Sequence, residues 1–222
     1  MNTKILIGAV GLTLLGSAAV LAQGQQGPQK PMTFFIASTV PGTGNLGGLA
    51  GADRICQNLA QGVGAGNHTW HAYLSQQQQG NEPAVNARNR IGAGPWYNAK
   101  GALVASNVGD LHGDNQRDRN NIQKTSALDE KGNVVKGFGD MPNEHDMLTG
   151  SDSEGRAYPA GLDVTCNNWT SDGADHKAML GHSDRSGGGN TSWNAAHLSR
   201  SCNKADLIAT GGAGHFYCFA IN

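Results

Sequence analysis

The sequence is poor in charged residues and has no strong bias toward either sign. Charged side chains make up 15% of the chain, against about 25% in an average soluble domain. The 16 basic and 17 acidic residues nearly cancel, so no global charge attracts the protein to nucleic acid or to an anionic membrane. Runs of helix-forming Lys, Glu, Leu and Ala are few, which argues against a helical bundle or a coiled coil.

Glycine is the abundant residue, with 33 copies in 222 positions, about twice its usual 7% share. The glycines have no Gly-X-Y period, which excludes collagen. Glycine at this level indicates a backbone with many tight turns and positive φ angles. The length allows about one to two domains. Because there is no tandem repeat and no interior linker, we expect a single loop-rich domain over residues 32–222.

The first 22 residues have the layout of a secretory signal. Lys4 precedes an apolar segment, Ile5 to Leu21, and small residues precede Gln23. An uncleaved membrane anchor is the alternative, since this segment is close to the minimum length for a membrane span. We expect cleavage followed by a flexible leader over 23–31, no stable membrane insertion of the mature chain, and a secreted, periplasmic or cell-surface location.

The four cysteines all lie after the signal segment, at Cys56, Cys166, Cys202 and Cys218. An even number of cysteines in an exported chain predicts two disulfides. Their spacing leaves all three pairings open. The absence of a C-x-x-C pair argues against a zinc ribbon or a thioredoxin-type site.

Hydrophobic patterning predicts a mixed α+β domain. Strands are expected over residues 33–37, 68–75 and 215–220, and a helix over 49–63. A short strand or turn is expected over 91–97, and a hairpin arm over 99–108. The segment 109–147 is dominated by Asp, Asn, Gly and Lys. We expect it to be an irregular insertion with one small hairpin near 129–135.

Several short motifs occur along the chain in the order found in the endostatin domain of certain collagens. They are Gly51-Ala52-Asp53-x-x-Cys56, His71-Ala72-Tyr73-Leu74-Ser75, Gly150-Ser151-Asp152-x-x-Gly155-Arg156, Cys166-x-x-Trp169, Ser201-Cys202 and Tyr217-Cys218. The chain resembles a secreted bacterial relative of that domain over 32–222, with a poor match from 76 to 146. The resemblance implies a C-type-lectin-like (endostatin-like) fold, which is a loop-rich mixed sheet with one or two helices. It also implies nested disulfides, Cys56–Cys218 around Cys166–Cys202.

Functional features of those relatives are missing at the matching positions. Residues 23–33 contain no histidine for the N-terminal zinc site of endostatin, and no arginine-rich face for heparin is evident. Calcium-dependent lectins of this fold carry a Trp-Asn-Asp triplet. Here the corresponding residues are Trp193-Asn194-Ala195, which lack the acid. Because calcium needs several oxygen ligands, a calcium–sugar site of that type is not predicted.

The loops between Cys166 and Cys202 carry the candidate binding residues. Trp193 follows a Gly-rich loop and is the aromatic side chain most expected to be exposed, whereas Trp169 is expected in the core. Six residues of types suited to a polar ligand occur close together: His182, Asp184, Arg185, Trp193, Asn194 and His197. For Asp184 and Arg185, bracing of their own loop is the favoured alternative.

The eight histidines include no pair at the i, i+4 spacing of helix-borne metal ligands. We therefore expect no cofactor, with calcium or zinc as the alternative. No Gly-x-Ser-x-Gly motif occurs, and disulfides would consume the thiols. The sequence favours a non-enzymatic, lectin-like or adhesin-like protein that recognises a glycan or a surface or matrix protein through residues 167–201. The alternatives are a metal-assisted enzyme using the His and Asp loops, and a structural subunit of a surface assembly.

Overall fold

A computed structural model describes residues 1, 29–113 and 119–222. The predicted signal segment beyond Met1, and the leader up to residue 28, lie outside the described residues. Within these ranges the strands are β1 (Phe34–Ile36), β2 (Trp70–Ala72), β3 (Trp96–Tyr97), β4 (Leu103–Ala105), β5 (Asp146–Leu148), β6 (Met179–His182), β7 (His197–Leu198) and β8 (Tyr217–Ala220). The α-helices are α1 (Gly48–Gly62), α2 (Val108–His112) and α3 (Lys204–Thr210), and a 3₁₀ helix spans Ala87–Asn89.

The first sheet has the strand order β1-β8-β2 and is antiparallel throughout. Its middle strand, β8, is buried on both faces. Phe35 of β1 points into one apolar cluster, with α1 and the four cysteines. Phe34 and Ile36 point into a second cluster with Tyr217 and Phe219. The sheet therefore separates two cores, which explains why its strands read as continuous apolar runs.

Helix α1 forms because small apolar residues recur at one face. Ala52, Cys56 and Ala60 are fully buried and lie four residues apart, so they form a stripe along the helix. The carboxylate of Asp53 accepts a hydrogen bond from the Ala72 amide at 2.9 Å, which ties the helix to β2. The predicted helix over 49–63 is thus confirmed with a shift of one residue at each end.

The two disulfides are Cys56–Cys218 and Cys166–Cys202, as the resemblance implies. The first joins α1 to the central strand β8, and the second closes the loops that carry β6 and β7. No helix in the described part of the chain has both the length and the apolar character of a membrane span.

The second sheet has the order β5-β6-β7 and is also antiparallel. Most of helix α2 lies within the segment 109–147 expected to be irregular, and strand β5 begins at its end. The prediction is therefore wrong at these two places. The small hairpin is confirmed, since Leu128 bridges to Val134 and Gly132 takes a φ of 82° in the turn. Strand β5 was not predicted from the hydrophobic pattern because only three of its residues pair with β6, and polar residues precede them.

Residues Cys166–Trp169 form a left-handed turn, with φ between 51° and 65° at four consecutive non-glycine residues. Such backbone costs roughly 1–2 kcal/mol per residue. Two interactions hold it in place. Cys166 is in a disulfide with Cys202. The indole of Trp169 is fully buried and donates a hydrogen bond to the Ser75 carbonyl at 2.8 Å. The expectation that Trp169 lies in the core is confirmed.

Candidate metal centre

The second sheet brings four metal-ligating side chains together at one end. Asp146 opens β5 and pairs directly with His182, which closes β6. His197 opens β7 and pairs with Leu180. Because paired residues, and residues two apart on a strand, share a face of the sheet, Asp146, His182 and His197 lie on the same face. His145 immediately precedes β5.

One carboxylate oxygen is the common neighbour of the three imidazoles. The Oδ1 atom of Asp146 lies 3.4 Å from Nε2 of His145 and 3.4 Å from Nε2 of His182. It lies 3.5 Å from Nε2 of His197. These separations exceed an ordinary N–H···O hydrogen bond of about 2.7–3.2 Å.

The groups at the centre of this cluster are buried without hydrogen-bond partners. Asp146 is 2% exposed and His182 is 3% exposed. Among the described residues, neither carboxylate oxygen of Asp146 and neither ring nitrogen of His182 has a hydrogen bond. Buried polar atoms are nearly always satisfied, and an unpaired buried charge is costly. The Asp146 oxygens and the His182 nitrogens therefore need a binding partner that lies among these four side chains.

The Nδ1 atoms of two of the imidazoles, on the side of the ring away from Asp146, already form hydrogen bonds. Nδ1 of His145 lies 2.9 Å from Oδ1 of Asp184, and Nδ1 of His197 lies 3.0 Å from the Leu198 carbonyl. Because both partners only accept, each Nδ1 carries the proton, and each Nε2 keeps a free lone pair when the ring is neutral. This carboxylate–imidazole or carbonyl–imidazole pairing is the usual support of a metal-ligating histidine.

Asp184 links the cluster to two neighbouring loops. Besides His145, its carboxylate accepts hydrogen bonds from the amides of Phe138, at 2.6 Å, and Ser186, at 2.9 Å. Burial raises the pKa of Asp184, but these hydrogen bonds outweigh burial and hold its pKa below the usual range. Glycine is required at position 137, since a Cβ there would lie 2.3 Å from Oδ2 of Asp184.

The imidazoles differ in their proton affinity. Burial, followed by repulsion from His145, lowers the pKa of His182. The Asp146 carboxylate raises the pKa of His197. His182 is therefore neutral at physiological pH, which is the form that binds a metal. His197 is the accessible member of the cluster, with 37% of its side chain exposed.

The distances from Asp146 Oδ1 to the three imidazoles suit a zinc ion, and His145, Asp146 and His182 keep all their ligand atoms within 4.8 Å of one another. Zinc binds histidine nitrogen and carboxylate oxygen at about 2.0–2.2 Å in tetrahedral sites, which places neighbouring ligand atoms about 3.3–3.6 Å apart. The three distances from Asp146 Oδ1 lie within this range. Three imidazoles and one carboxylate are a ligand set for zinc or a related transition metal. Calcium, which takes six to eight oxygens, does not suit them.

A glycine in β6 allows this face of the sheet to form. A Cβ at Gly181 would lie 1.9 Å from the carbonyl oxygen of Trp193. The backbone of residues 193–194 therefore packs directly on β6, next to His182. No side chain fits at position 181.

Two of the six residues predicted to bind a ligand are buried in the core. Trp193 is fully buried, and its ring lies 4.9 Å from that of Tyr73 and 5.4 Å from that of Tyr217. Asn194 is 1% exposed and donates to the Tyr73 hydroxyl at 3.0 Å. The expectation of an exposed Trp193 is wrong, because the Gly-rich loop ends before this residue and the chain turns inward against β6.

The other four predicted residues lie in or beside the group formed by His145, Asp146, His182 and His197. His182 and His197 belong to it, and Asp184 supports His145. Arg185 points to the neighbouring loop, where it donates hydrogen bonds to the Ile122 carbonyl and the Asn120 side chain, both at 2.6 Å. Asp184 braces its own loop through the Ser186 amide, as predicted, and also contacts Phe138 and His145. Arg185 instead braces a loop that lies far away in the sequence.

Sequence reasoning missed His145 and Asp146, because both fall in the segment read as an insertion. The adjacent His and Asp are the one local feature that could have suggested a site. That feature is informative only once β5 is known to pair with β6. Neither a protein-family model nor a curated protein sequence matches this chain.

Proposed function

We propose that this is an exported, non-enzymatic metal-binding protein that holds one zinc ion between His145, Asp146, His182 and His197. The observation that carries the proposal is the buried Asp146 carboxylate, which has no hydrogen-bond partner among the described residues and has three imidazole nitrogens 3.4–3.5 Å from its Oδ1. His145, Asp146 and His182 place ligand atoms within 4.8 Å of one another. His197 lies outside that mutually close group, and we assign it as the fourth ligand because its Nε2 lies 3.5 Å from Oδ1 of Asp146.

The proposed role of the ion is to cross-link the second sheet. Four protein ligands are typical of structural zinc sites, whereas catalytic sites keep a position for water or substrate. The ligands come from the start of β5, the end of β6 and the start of β7. One ion would therefore join all three strands. A metal-assisted enzyme, the alternative, would require His197 to leave the ion and free a coordination position on the solvent side.

We also propose that the domain belongs to the endostatin-like branch of the C-type-lectin-like fold and binds a ligand outside the cell through its 167–201 loops. The mixed α+β architecture and the nested disulfides support the fold assignment. The disulfides also support a secreted, periplasmic or cell-surface location. Since Trp193 is buried, the ligand surface lies in another part of these loops.

Metal analysis of the purified mature chain tests the proposed function. We expect about one zinc per chain after dialysis against metal-free buffer. Asp146→Asn and His182→Gln should lose most of the metal, because each removes a ligand from the centre. His68→Gln is the matched control, since that histidine contacts the carbonyl of Asn222 and not the cluster, and it should keep full zinc content.

The proposal fails if the wild-type chain, refolded with zinc present, retains no more metal than Asp146→Asn. It also fails if His68→Gln lowers the zinc content as much as His182→Gln does. Circular dichroism of each variant separates loss of metal from loss of fold.

A further inference from the structure

A second candidate site lies beside the left-handed turn Cys166–Trp169. It is a cavity of about 260 Å³. Carboxamide side chains dominate its polar lining, and none of the four metal ligands lines it. The carboxamides of this amide pocket that carry the argument are Gln77, Gln79, Asn167 and Asn168.

The floor of the amide pocket is rigid. Gln77 is 6% exposed, and its Nε2 donates to the carbonyls of Pro159 and Leu162 at 2.8 and 2.7 Å. Its Oε1 accepts from the Val164 amide at 2.9 Å. A buried amide with all these partners fixes the loop 159–164 against the loop that begins at Gln77.

The amide pocket has few ionisable side chains. Its ionisable lining residues are Asp163 and His176, which contact each other, with Nδ1 of His176 2.7 Å from Oδ2 of Asp163. Asp163 also accepts from the amide of Asn167 at 3.0 Å. The polar lining beyond this pair consists of neutral amides and a hydroxyl, so a ligand of this pocket is recognised mainly by hydrogen bonds.

A carboxamide from the chain itself occupies the mouth of the amide pocket. Gln79 is exposed, yet its Nε2 donates to Oδ1 of Asn167 at 2.7 Å. Its Oε1 accepts from Nδ2 of Asn168 at 3.3 Å. The two asparagines thus present one acceptor and one donor side by side, and a single amide group satisfies both.

The left-handed turn is what places these two asparagines next to each other. Their φ angles are both 53°, and the disulfide at Cys166 and the buried Trp169 hold the turn in this conformation. Strained backbone of this kind clusters at functional sites, where the surrounding structure holds it.

We propose that the amide pocket binds a carboxamide group of a peptide ligand, a glutamine or asparagine side chain or a backbone amide, and that Gln79 occupies this place in the free protein. The ligand would donate to Asn167 and accept from Asn168 as Gln79 does. Gln79 is then an internal competitor that must leave before the ligand binds. This inference is independent of the metal centre, since the two sites share no residue.

Titration of the mature chain with N-acetylglutamine amide, followed by ¹H–¹⁵N NMR, tests the proposal. We expect shifts of residues 77–79 and 160–168. Gln79→Ala should raise the affinity about two- to tenfold, because it removes hydrogen bonds that compete with the ligand. Gln61→Ala, at an exposed glutamine of α1 outside the pocket, should leave the affinity unchanged.

Asn167→Gly removes the acceptor without disturbing the turn, since glycine adopts a φ of 53° without strain. It should keep the melting temperature and lose binding. The proposal is overturned if Gln79→Ala binds N-acetylglutamine amide no better than Gln61→Ala does. It is also overturned if wild-type and Gln79→Ala both show no shifts in the pocket, or if a neutral methyl glycoside shifts these residues and the amide does not.

Discussion

At the residue scale, Asp146 and Asp184 are two buried carboxylates with opposite hydrogen-bonding states. Asp184 accepts from one imidazole and two backbone amides, whereas Asp146 accepts from no described group. The difference indicates different roles. In the proposed site, Asp146 would bind the cation directly, and Asp184 would orient a ligand by holding the Nδ1 proton of His145.

Replacing Asp184 with Asn should weaken zinc binding without removing a ligand. The amide is a poorer acceptor for the His145 Nδ1 proton, so it orients the ring less well and makes Nε2 less basic. Losses at such outer partners are about 10- to 100-fold in metal affinity. Competition with a chromophoric chelator measures this change. Ser186→Ala keeps the amide that binds Asp184 and is the control, so an equal loss in that variant would contradict the assigned role.

A second residue-scale prediction concerns pH. His215 is 8% exposed and donates Nδ1–H to the Ala37 carbonyl at 2.7 Å. Burial lowers the pKa of His215, although Glu144, Glu130 and Asp129 oppose the shift. The unfolded chain therefore takes up a proton near pH 6.5 while the folded chain remains neutral until a lower pH. This contribution to the free energy of unfolding is present above pH 6.5 and is lost as the pH falls below it.

Urea unfolding between pH 7.5 and 5 measures this effect. The slope from one such group is at most about 1.4 kcal/mol per pH unit. His215→Gln keeps a donor for Ala37 and has no proton to bind, so its stability should fall less steeply with acid than that of wild type. Parallel pH profiles for the two proteins would show that His215 is not the source.

At the element scale, the second sheet has little apolar material of its own. Its strands pair over only three and two residue positions, and one end consists of His145, Asp146, His182 and His197. Short strands such as these need packing or a cross-link to persist. The proposed metal centre would supply one cross-link, and the Cys166–Cys202 disulfide closes the surrounding loop.

Removing the metal should therefore loosen this sheet first. Free zinc at 100 times its dissociation constant adds about 2.7 kcal/mol to the free energy of unfolding, which corresponds to about 5–10 °C in melting temperature for a domain of this size. Hydrogen exchange with and without chelator should show loss of protection in β5, β6 and β7, while β1 and β8 keep theirs. Uniform loss across both sheets, or none, would contradict the assignment.

Elements with a continuous apolar pattern were predictable from the sequence. Helix α1 shows its buried stripe as regularly spaced small residues, and β1 and β8 show runs of aromatics. Strand β5 was not predictable, because pairing with β6, rather than its own composition, makes it a strand. The left-handed turn was not predictable either, since a distant disulfide and the buried Trp169 hold it.

At the scale of the whole molecule, the two disulfides compensate for a small and divided core. The loop between Cys56 and Cys218 spans 162 residues, and that between Cys166 and Cys202 spans 36. By the chain-entropy relation these closures stabilise the fold by about 5 and 4 kcal/mol. The first connects α1 to the central strand β8, and the second connects the strained turn to the segment just before α3.

Replacing each pair of cysteines with alanine should separate these contributions. We expect Cys166→Ala/Cys202→Ala to lower the free energy of unfolding by about 4 kcal/mol, and the other pair by about 5 kcal/mol. Urea unfolding of both double variants measures this. A much smaller loss for the Cys166–Cys202 pair would mean that release of the left-handed strain offsets the lost cross-link.

The proposed metal centre shows why a site whose residues are distant in the sequence is hard to predict from the sequence. Its proposed ligands lie at positions 145, 146, 182 and 197, so no short sequence motif contains them. Only the pairing of β5 with β6 and of β6 with β7 brings them together. His182 and His197 were identified as polar candidates from their loops, but for a different kind of ligand. The proposed metal chemistry depends on Asp146, which the sequence pattern does not identify as a ligand.

Anomalous X-ray diffraction from crystals of the zinc-loaded mature chain, recorded on both sides of the zinc absorption edge, tests the central claim most directly. We predict one strong peak about 2 Å from Oδ1 of Asp146 and from Nε2 of His145, His182 and His197. The same crystals of Asp146→Asn should lose it. A density map with no anomalous peak among these four side chains, or with zinc bound only elsewhere, would contradict the account.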